Sequence, residues 1–364
     1  MAEEGGTASR LAAIGRPRAL AIAFLLLLIL VAAVWGAAGT GRSALGPAPS
    51  AAAASPSGNQ DLVLYDRIAT RVATGENYYR AAADELRSGN YPLRPFVAFR
   101  PPTLTVVAAW IGRPALLALQ YLLFAAMVAA WWFRLDRQFA DRGRRTTATM
   151  LAAAGVAVAF SGKYVLLHEV WAGALIALSL ALHRPDRRGW SVAAAALALA
   201  IRELALPYVL LMAAFALYRR SWREVGAWAV LILVFAAGMA WHAAEVAEVV
   251  LPPDPASPGW AAFGGWAGVL RTFHLAGPLR WLPMEVGAAA IVLGLFGWAS
   301  WKSRTGLAAT LVYLGYGLAF MLFGRANNFY WGLMVTPAFL IGLAFLPRAF
   351  SDLAAEIRTR QFIA

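Results

Sequence analysis

The chain contains no cysteine, which excludes disulfides, thiolate metal sites and cysteine nucleophiles. Histidine is nearly as scarce: there are four, none four residues from another, so a histidine-built metal site has no basis. Charged residues make up only 14% of 364, while 61% are hydrophobic. A soluble domain is nearer a quarter charged and half apolar, so the mean hydropathy of +0.61 calls for a second apolar solvent, the bilayer. No soluble-looking stretch as long as a domain interrupts the apolar blocks between Ala19 and Leu346.

What charge there is leans positive, with 32 Lys and Arg against 19 Asp and Glu. The arginines cluster at the ends of apolar blocks, which reads as membrane topology and excludes nucleic acid as a partner. Apolar stretches predict about ten spans, near 19–38, 115–133, 147–162, 166–182, 189–201, 204–218, 225–242, 283–300, 307–323 and 331–346. Pro207 breaks the 189–218 region and Arg202-Glu203 sits at its centre, as at the tip of a re-entrant hairpin. Alternate connections carry most of the cations: Arg10, Arg16 and Arg18; Arg134 to Arg145; Arg184 to Arg188; Arg219 to Arg223; Lys302 and Arg304; Arg348 to Arg360. The positive-inside rule then places both termini in the cytoplasm. A cleaved signal peptide competes for 19–38, but about twenty apolar residues exceed a usual signal core and favour a retained helix.

The resulting fold class is an all-α polytopic transmembrane bundle with a long first extracytoplasmic loop. Residues 1–38 form the cytoplasmic N-terminus and first helix, 39–114 the loop, 115–346 the bundle and 347–364 a cytoplasmic tail. Gly39–Gly58 reads as a flexible Gly/Ala/Pro/Ser linker. Leu62, Tyr65, Ile68, Ala69 and Val72 share one helical face, so a surface helix follows and ends at Gly75. A second spans about Asn77–Leu86, and the prolines of Tyr91–Pro102 dictate an extended chain. Thr103–Ile111 is too short to span and is broken from the next helix by Gly112 and Pro114. Glu245–Pro283, with Trp260, Trp266 and Trp281, is a second outer connection seated at the interface.

Charges at a membrane edge are costly and therefore candidates for function. On this topology they gather at the outer ends of the helices: Asp61, Asp66 and Glu76; Arg94 and Arg100; His168 and Glu169; Arg202 and Glu203; and Arg325, Asn327, Asn328 and Tyr330. Plainer readings stand beside them. Asp61 is placed for a helix N-cap, Asp66 for a solvated pair with Arg67, and Glu76 for a helix dipole. Tyr78 and Tyr79 serve equally as interface anchors or as platforms for a sugar, and Arg202-Glu203 could be a buried structural pair. His242 and His274 read as interfacial and uninvolved.

The segments Asp61-Leu-Val-Leu-Tyr65, Gly75-Glu-Asn-Tyr-Tyr79, Tyr91-Pro92, Arg100-Pro-Pro-Thr103, His168-Glu-Val-Trp171 and Arg202-Glu203 resemble bacterial membrane glycosyltransferases of the GT-C superfamily. The resemblance implies a polyprenyl-phosphate-linked sugar donor, a glycan, lipid or protein acceptor, and a location in the bacterial inner (plasma) membrane among its lipids. It implies a catalytic carboxylate early in the first outer loop, Asp61 or alternatively Asp66. None of these segments holds two adjacent carboxylates, so a divalent metal is unsupported and no cofactor is expected. The chemistry fits independently: a carboxylate acts as base, and one or more of Arg100, Arg202 and Arg325 holds the departing phosphate. Such a base without a covalent nucleophile implies inversion. The competing class, a secondary transporter or lipid flippase, would place polar residues at the bilayer midplane rather than at the outer edge.

Overall fold

The computed structural model describes residues 9–43, 58–136, 138–184, 188–259 and 261–358. Among these the chain is all-helical, apart from one isolated parallel bridge between Arg94 and Ala256. The helices are α1 Arg16–Ser43, α2 Gly58–Ala73, α3 Tyr78–Ser88, α4 Thr103–Leu135, α5 Arg142–Gly155, α6 His168–Leu182 and α7 Gly189–Ile201. They continue as α8 Leu206–Tyr218, α9 Trp222–Val249, α10 Gly265–Ala276, α11 Met284–Ser300, α12 Arg304–Phe323, α13 Thr336–Phe339 and α14 Leu346–Arg358. Most of the expected linker, residues 44–57, lies outside the described residues, as does Trp260; residues 39–43 extend α1 instead of beginning the linker.

Among the described residues, five helical stretches are long and apolar enough to cross a membrane: Arg16–Ala38, Phe96–Leu135, Trp222–Val249, Arg304–Phe323 and Thr336–Arg358. The other apolar blocks fold as shorter helices. A 13-residue helix such as α7 is only about 20 Å long, so α6, α7, α8 and α11 depend on neighbours for their burial. Close approach makes that burial dense. A Cβ on Gly173 of α6 would lie 2.0 Å from the Leu333 carbonyl oxygen, and one on Gly297 of α11 would lie 1.8 Å from that of Gly342. The last expected span is not one regular helix. It runs through 3₁₀ turns at Ala326–Met334 and Leu340–Phe345, then continues into α14, so much of the expected cytoplasmic tail is helical.

Two sequence features shape the loop side of the bundle. Leu64, Tyr65 and Ile68 of α2 are buried, with Leu62, Ala69 and Val72 half-buried beside them, and α2 packs on α4 as its apolar face requires. Burying each such side chain stabilises by roughly 1.5–3 kcal/mol. Gly112 interrupts α4 with φ of +76°, a conformation glycine adopts without steric cost. Thr103–Ile111 therefore sets off at its own angle from the 115–135 segment.

Helices α7 and α8 form a hairpin around Arg202. Ser179 Oγ near the end of α6 donates to the Ser191 carbonyl at the start of α7, 2.7 Å away. At the far end of α8, Arg219 Nη2 donates to Glu224 Oε2 at 3.0 Å, and Glu224 Oε1 also bonds His183 Nε2 at 2.7 Å. The two ends of the pair remote from the turn thus return to the C-terminus of α6, which leaves Arg202 and Glu203 at the turn beside its N-terminus, as the sequence predicts.

Candidate functional site

The long first loop reaches its position through local rules. Asn77 Oδ1 caps α3 by accepting from Tyr79 N at 2.9 Å and Arg80 N at 3.3 Å, which turns the chain sharply after Gly75, itself at φ +95°. Arg87 at the end of α3 then grips the connection between α9 and α10. Its Nε and Nη2 donate to the two carboxylate oxygens of Asp254, each at 2.8 Å, a bidentate geometry suited to guanidinium and carboxylate. Asp254 also accepts from Leu251 N at 2.7 Å. The hydrogen bonds from Arg87 hold its carboxyl down at about 2. Alongside, Ser257 N donates to the Arg94 carbonyl at 2.6 Å, so these two connections run side by side.

Beneath them lies a cavity of about 600 Å³. Of the residues singled out from sequence, Asp61, Tyr78, Arg100, Arg202, Glu203, Arg325, Asn327, Asn328 and Tyr330 line it. They come from α2, α3, the approach to α4, the α7–α8 turn and the α12–α13 connection.

Arg100 is the hub. Its Nε donates to Tyr65 Oη at 3.1 Å and its Nη2 to Tyr330 Oη at 3.5 Å, while Glu169 Oε1 stands 3.7 Å from Nη2. Tyr78 Oη donates to the Arg100 carbonyl at 2.7 Å, and Asn328 Nδ2 approaches Tyr330 Oη at 3.4 Å. Glu169 is fully buried just behind the wall and also accepts from Arg202 Nε at 2.7 Å. Arg202, 1% exposed, pairs in addition with Glu203. The second oxygens of Glu169 and Glu203 and the side-chain oxygen of Asn328 are buried with no hydrogen-bond partner among the described residues.

Asp61 lies in the first turn of α2 and is not its N-cap: its Oδ1 accepts from Tyr91 Oη at 2.8 Å. Burial pushes this carboxyl above the usual carboxylate range, and the Tyr91 hydrogen bond and the Arg100 charge only partly oppose that. Asp61 and Tyr330 also line a second chamber of about 330 Å³, walled chiefly by apolar side chains such as Leu62, Leu167 and Leu333, with Arg280 at it.

Other candidates stand outside the cavity. Asp66 is exposed and pairs with Arg113 at 3.0 Å, not with its neighbour Arg67, because α2 lays that face along the start of the long α4 segment. Glu76 is held by Arg71 at 2.5 Å in a cluster with Asp84 and Glu85 on the outside of the loop. Tyr79 turns away from the cavity to His242 Nδ1 at 3.0 Å. His242 and His274 are accordingly buried within the protein instead of sitting at an interface. His168 is buried edge-on against Tyr65, with ring centroids 5.3 Å apart.

Sequence reasoning missed Tyr65, Tyr91 and Arg271, all of which line the cavity. Periodicity places Tyr65 on an apolar face, although its position four residues after Asp61 puts both on one side of α2. For Arg271 the one available cue was a lone cation within an otherwise apolar short helix.

Four arginines, Arg100, Arg202, Arg271 and Arg325, thus face Asp61 and Glu203, with Glu169 behind. The arrangement offers a proton acceptor of raised basicity within a field of guanidinium groups and phenol hydroxyls. Among the described residues no three His, Asp or Glu side chains gather as a metal site. Compared with known proteins, the chain matches no protein-family model, no curated protein and no solved structure.

Proposed function

We propose that the protein is an integral membrane glycosyltransferase of GT-C type, moving a sugar from a polyprenyl-phosphate donor to an acceptor hydroxyl. The observation that carries this reading is the shared cavity: Asp61, with its carboxyl pushed up by burial, opens into the same space as Arg100, Arg271 and Arg325. In the proposed reaction the acceptor oxygen bonds to the anomeric carbon as the carbon–oxygen bond to phosphate breaks. Asp61 takes the acceptor's proton, and polyprenyl phosphate leaves with the bonding electron pair. One displacement inverts the anomeric centre.

The guanidinium groups oppose the charge that grows on the departing phosphate, where fixed donors are most effective. Arg202 is already committed to Glu169 and Glu203, so in this scheme it positions the wall and Arg100 makes the contact. The unpartnered oxygens of Glu203 and Asn328 suit a ligand rich in hydroxyl donors, as a sugar is.

The five long helices, together with α5, α6, α7, α8 and α11, account for about ten crossings of a bacterial plasma membrane. The cavity lies at the end away from the arginine-rich connections, which supports an extracytoplasmic reaction and cytoplasmic termini. The test is transfer by purified protein from radiolabelled prenyl-phosphate sugars. Asp61→Asn should lower turnover by about 10²–10⁴-fold, the usual contribution of a positioned base, with the protein still folded. Full turnover in that variant would refute the assignment.

A further inference from the structure

At the other end of the bundle lies a second pocket built to a different pattern. Helix α12 carries the chain from Lys302 and Arg304 to Arg325, so the two sites are separated by roughly the 30 Å length of a 20-residue helix. This pocket encloses about 400 Å³ between the α4–α5 turn, the α11–α12 turn and the start of α14. Each of those elements supplies one cation: Arg144, Lys302 and Arg348.

The nearby negative charge is already engaged. Asp141 caps α5, its carboxylate accepting from Gly143 N at 3.2 Å and Arg144 N at 3.0 Å. Asp352 pairs with Arg348 at 2.9 Å and accepts from Ser9 N at 2.9 Å. Arg144 and Lys302 are exposed and have no carboxylate within ion-pair distance among the described residues. The first turn of α5, with Asp141 and Arg144, adjoins this pocket directly. The floor is rigid and apolar: Phe345 stacks on Trp301 at 4.6 Å and on Phe139 at 5.5 Å. Close in sequence to Lys302 and Arg348, Leu307 on α12 and Phe350 on α14 are exposed apolar side chains.

A positive pocket at the ends of membrane helices, rimmed by exposed apolar side chains, suits a ligand with an anionic head and an oily body. We propose that this pocket binds the phosphate of an anionic membrane phospholipid, with the acyl chains lying along the exposed faces of α12 and α14. The inference stands apart from the chemistry assigned to the Asp61 cavity.

The test uses full-length protein in lipid nanodiscs of phosphatidylcholine with or without phosphatidylglycerol. Thermal unfolding should occur at higher temperature with phosphatidylglycerol, and native mass spectrometry should find that lipid retained in preference to phosphatidylcholine. Each cation near an anionic lipid contributes roughly fivefold in affinity, so an Arg144→Gln, Lys302→Gln double variant should bind on the order of thirty-fold more weakly. The charge-preserving Arg144→Lys, Lys302→Arg pair should restore retention. Equal retention of phosphatidylglycerol by the glutamine variant and the wild type would overturn the site. Equal retention of both lipids by the wild type, which needs no variant to fold, would do the same. Glycerol phosphate protecting as well as the intact lipid would overturn the lipid assignment in favour of a free anion.

Discussion

The Arg87–Asp254 clamp can be tested as a quantity. It joins α3 to the connection after α9 through two parallel 2.8 Å hydrogen bonds, with the Asp254 side chain 6% exposed and that of Arg87 28% exposed. A hydrogen-bonded contact between charged groups contributes roughly 1.5–3 kcal/mol, and partial exposure of Arg87 moves this one toward the lower end. A coupling of about 2 kcal/mol follows, which corresponds to about thirty-fold in a local opening equilibrium. The Ser257 amide, bonded to the Arg94 carbonyl at 2.6 Å, is the natural reporter, because it opens when the two connections part. Hydrogen exchange at that amide should quicken by about thirty-fold in Arg87→Ala. Arg87→Ala combined with Asp254→Ala should be scarcely faster than either single variant, since both remove the same contact. Additive effects, or single effects below about threefold, would refute the clamp. The pH dependence has a definite sign. Asp254 titrates at about 2 in the folded protein and near 3.9 in an unfolded chain, so the stabilisation is complete above about pH 4 and lost as pH falls toward 2.

The remaining predictions concern the cavity, the packing and the topology. Tyr91→Phe removes a hydrogen bond that favours ionised Asp61, so the acidic limb of the pH–rate profile should move to higher pH; an unmoved limb would detach Asp61 from the rate. Gly173→Ala would press a methyl group into the Leu333 carbonyl and should cost about 1–3 kcal/mol or more, read as a lowered melting temperature in detergent; an unchanged melting temperature would contradict the crossing. Because the chain has no cysteine, Glu76→Cys and Arg223→Cys can be labelled singly in intact cells with a membrane-impermeant thiol reagent. Only Glu76→Cys should react, and the opposite pattern would invert the topology.

The parts visible in the sequence are those set by local rules. The α2 face, the helix break at Gly112 and the charged α7–α8 turn each follow from neighbours within a few residues, and the structure bears out all three. What stayed hidden was set by pairing across the chain. Asp66 chose Arg113, 47 residues away, over the adjacent Arg67, and Tyr79 found His242 at a separation of 163. Periodicity identifies which face of a helix is buried but not what it meets, so Tyr78 and Tyr79 looked equivalent until α3 aimed one into the cavity and the other at α9. Among the carboxylates of the first loop, Asp66 met the exposed Arg113 and Glu76 the half-buried Arg71, while Asp61 was turned inward.

The Arg100 guanidinium, held between Tyr65, Tyr330 and Glu169, cannot sample the many rotamers open to a surface arginine. Its orientation is decided when the chain folds, so an incoming anion meets a donor already facing it and forfeits little side-chain freedom on arrival. Loosening that cage, for instance by Tyr65→Phe, would leave the charge in place while making its direction a matter of chance.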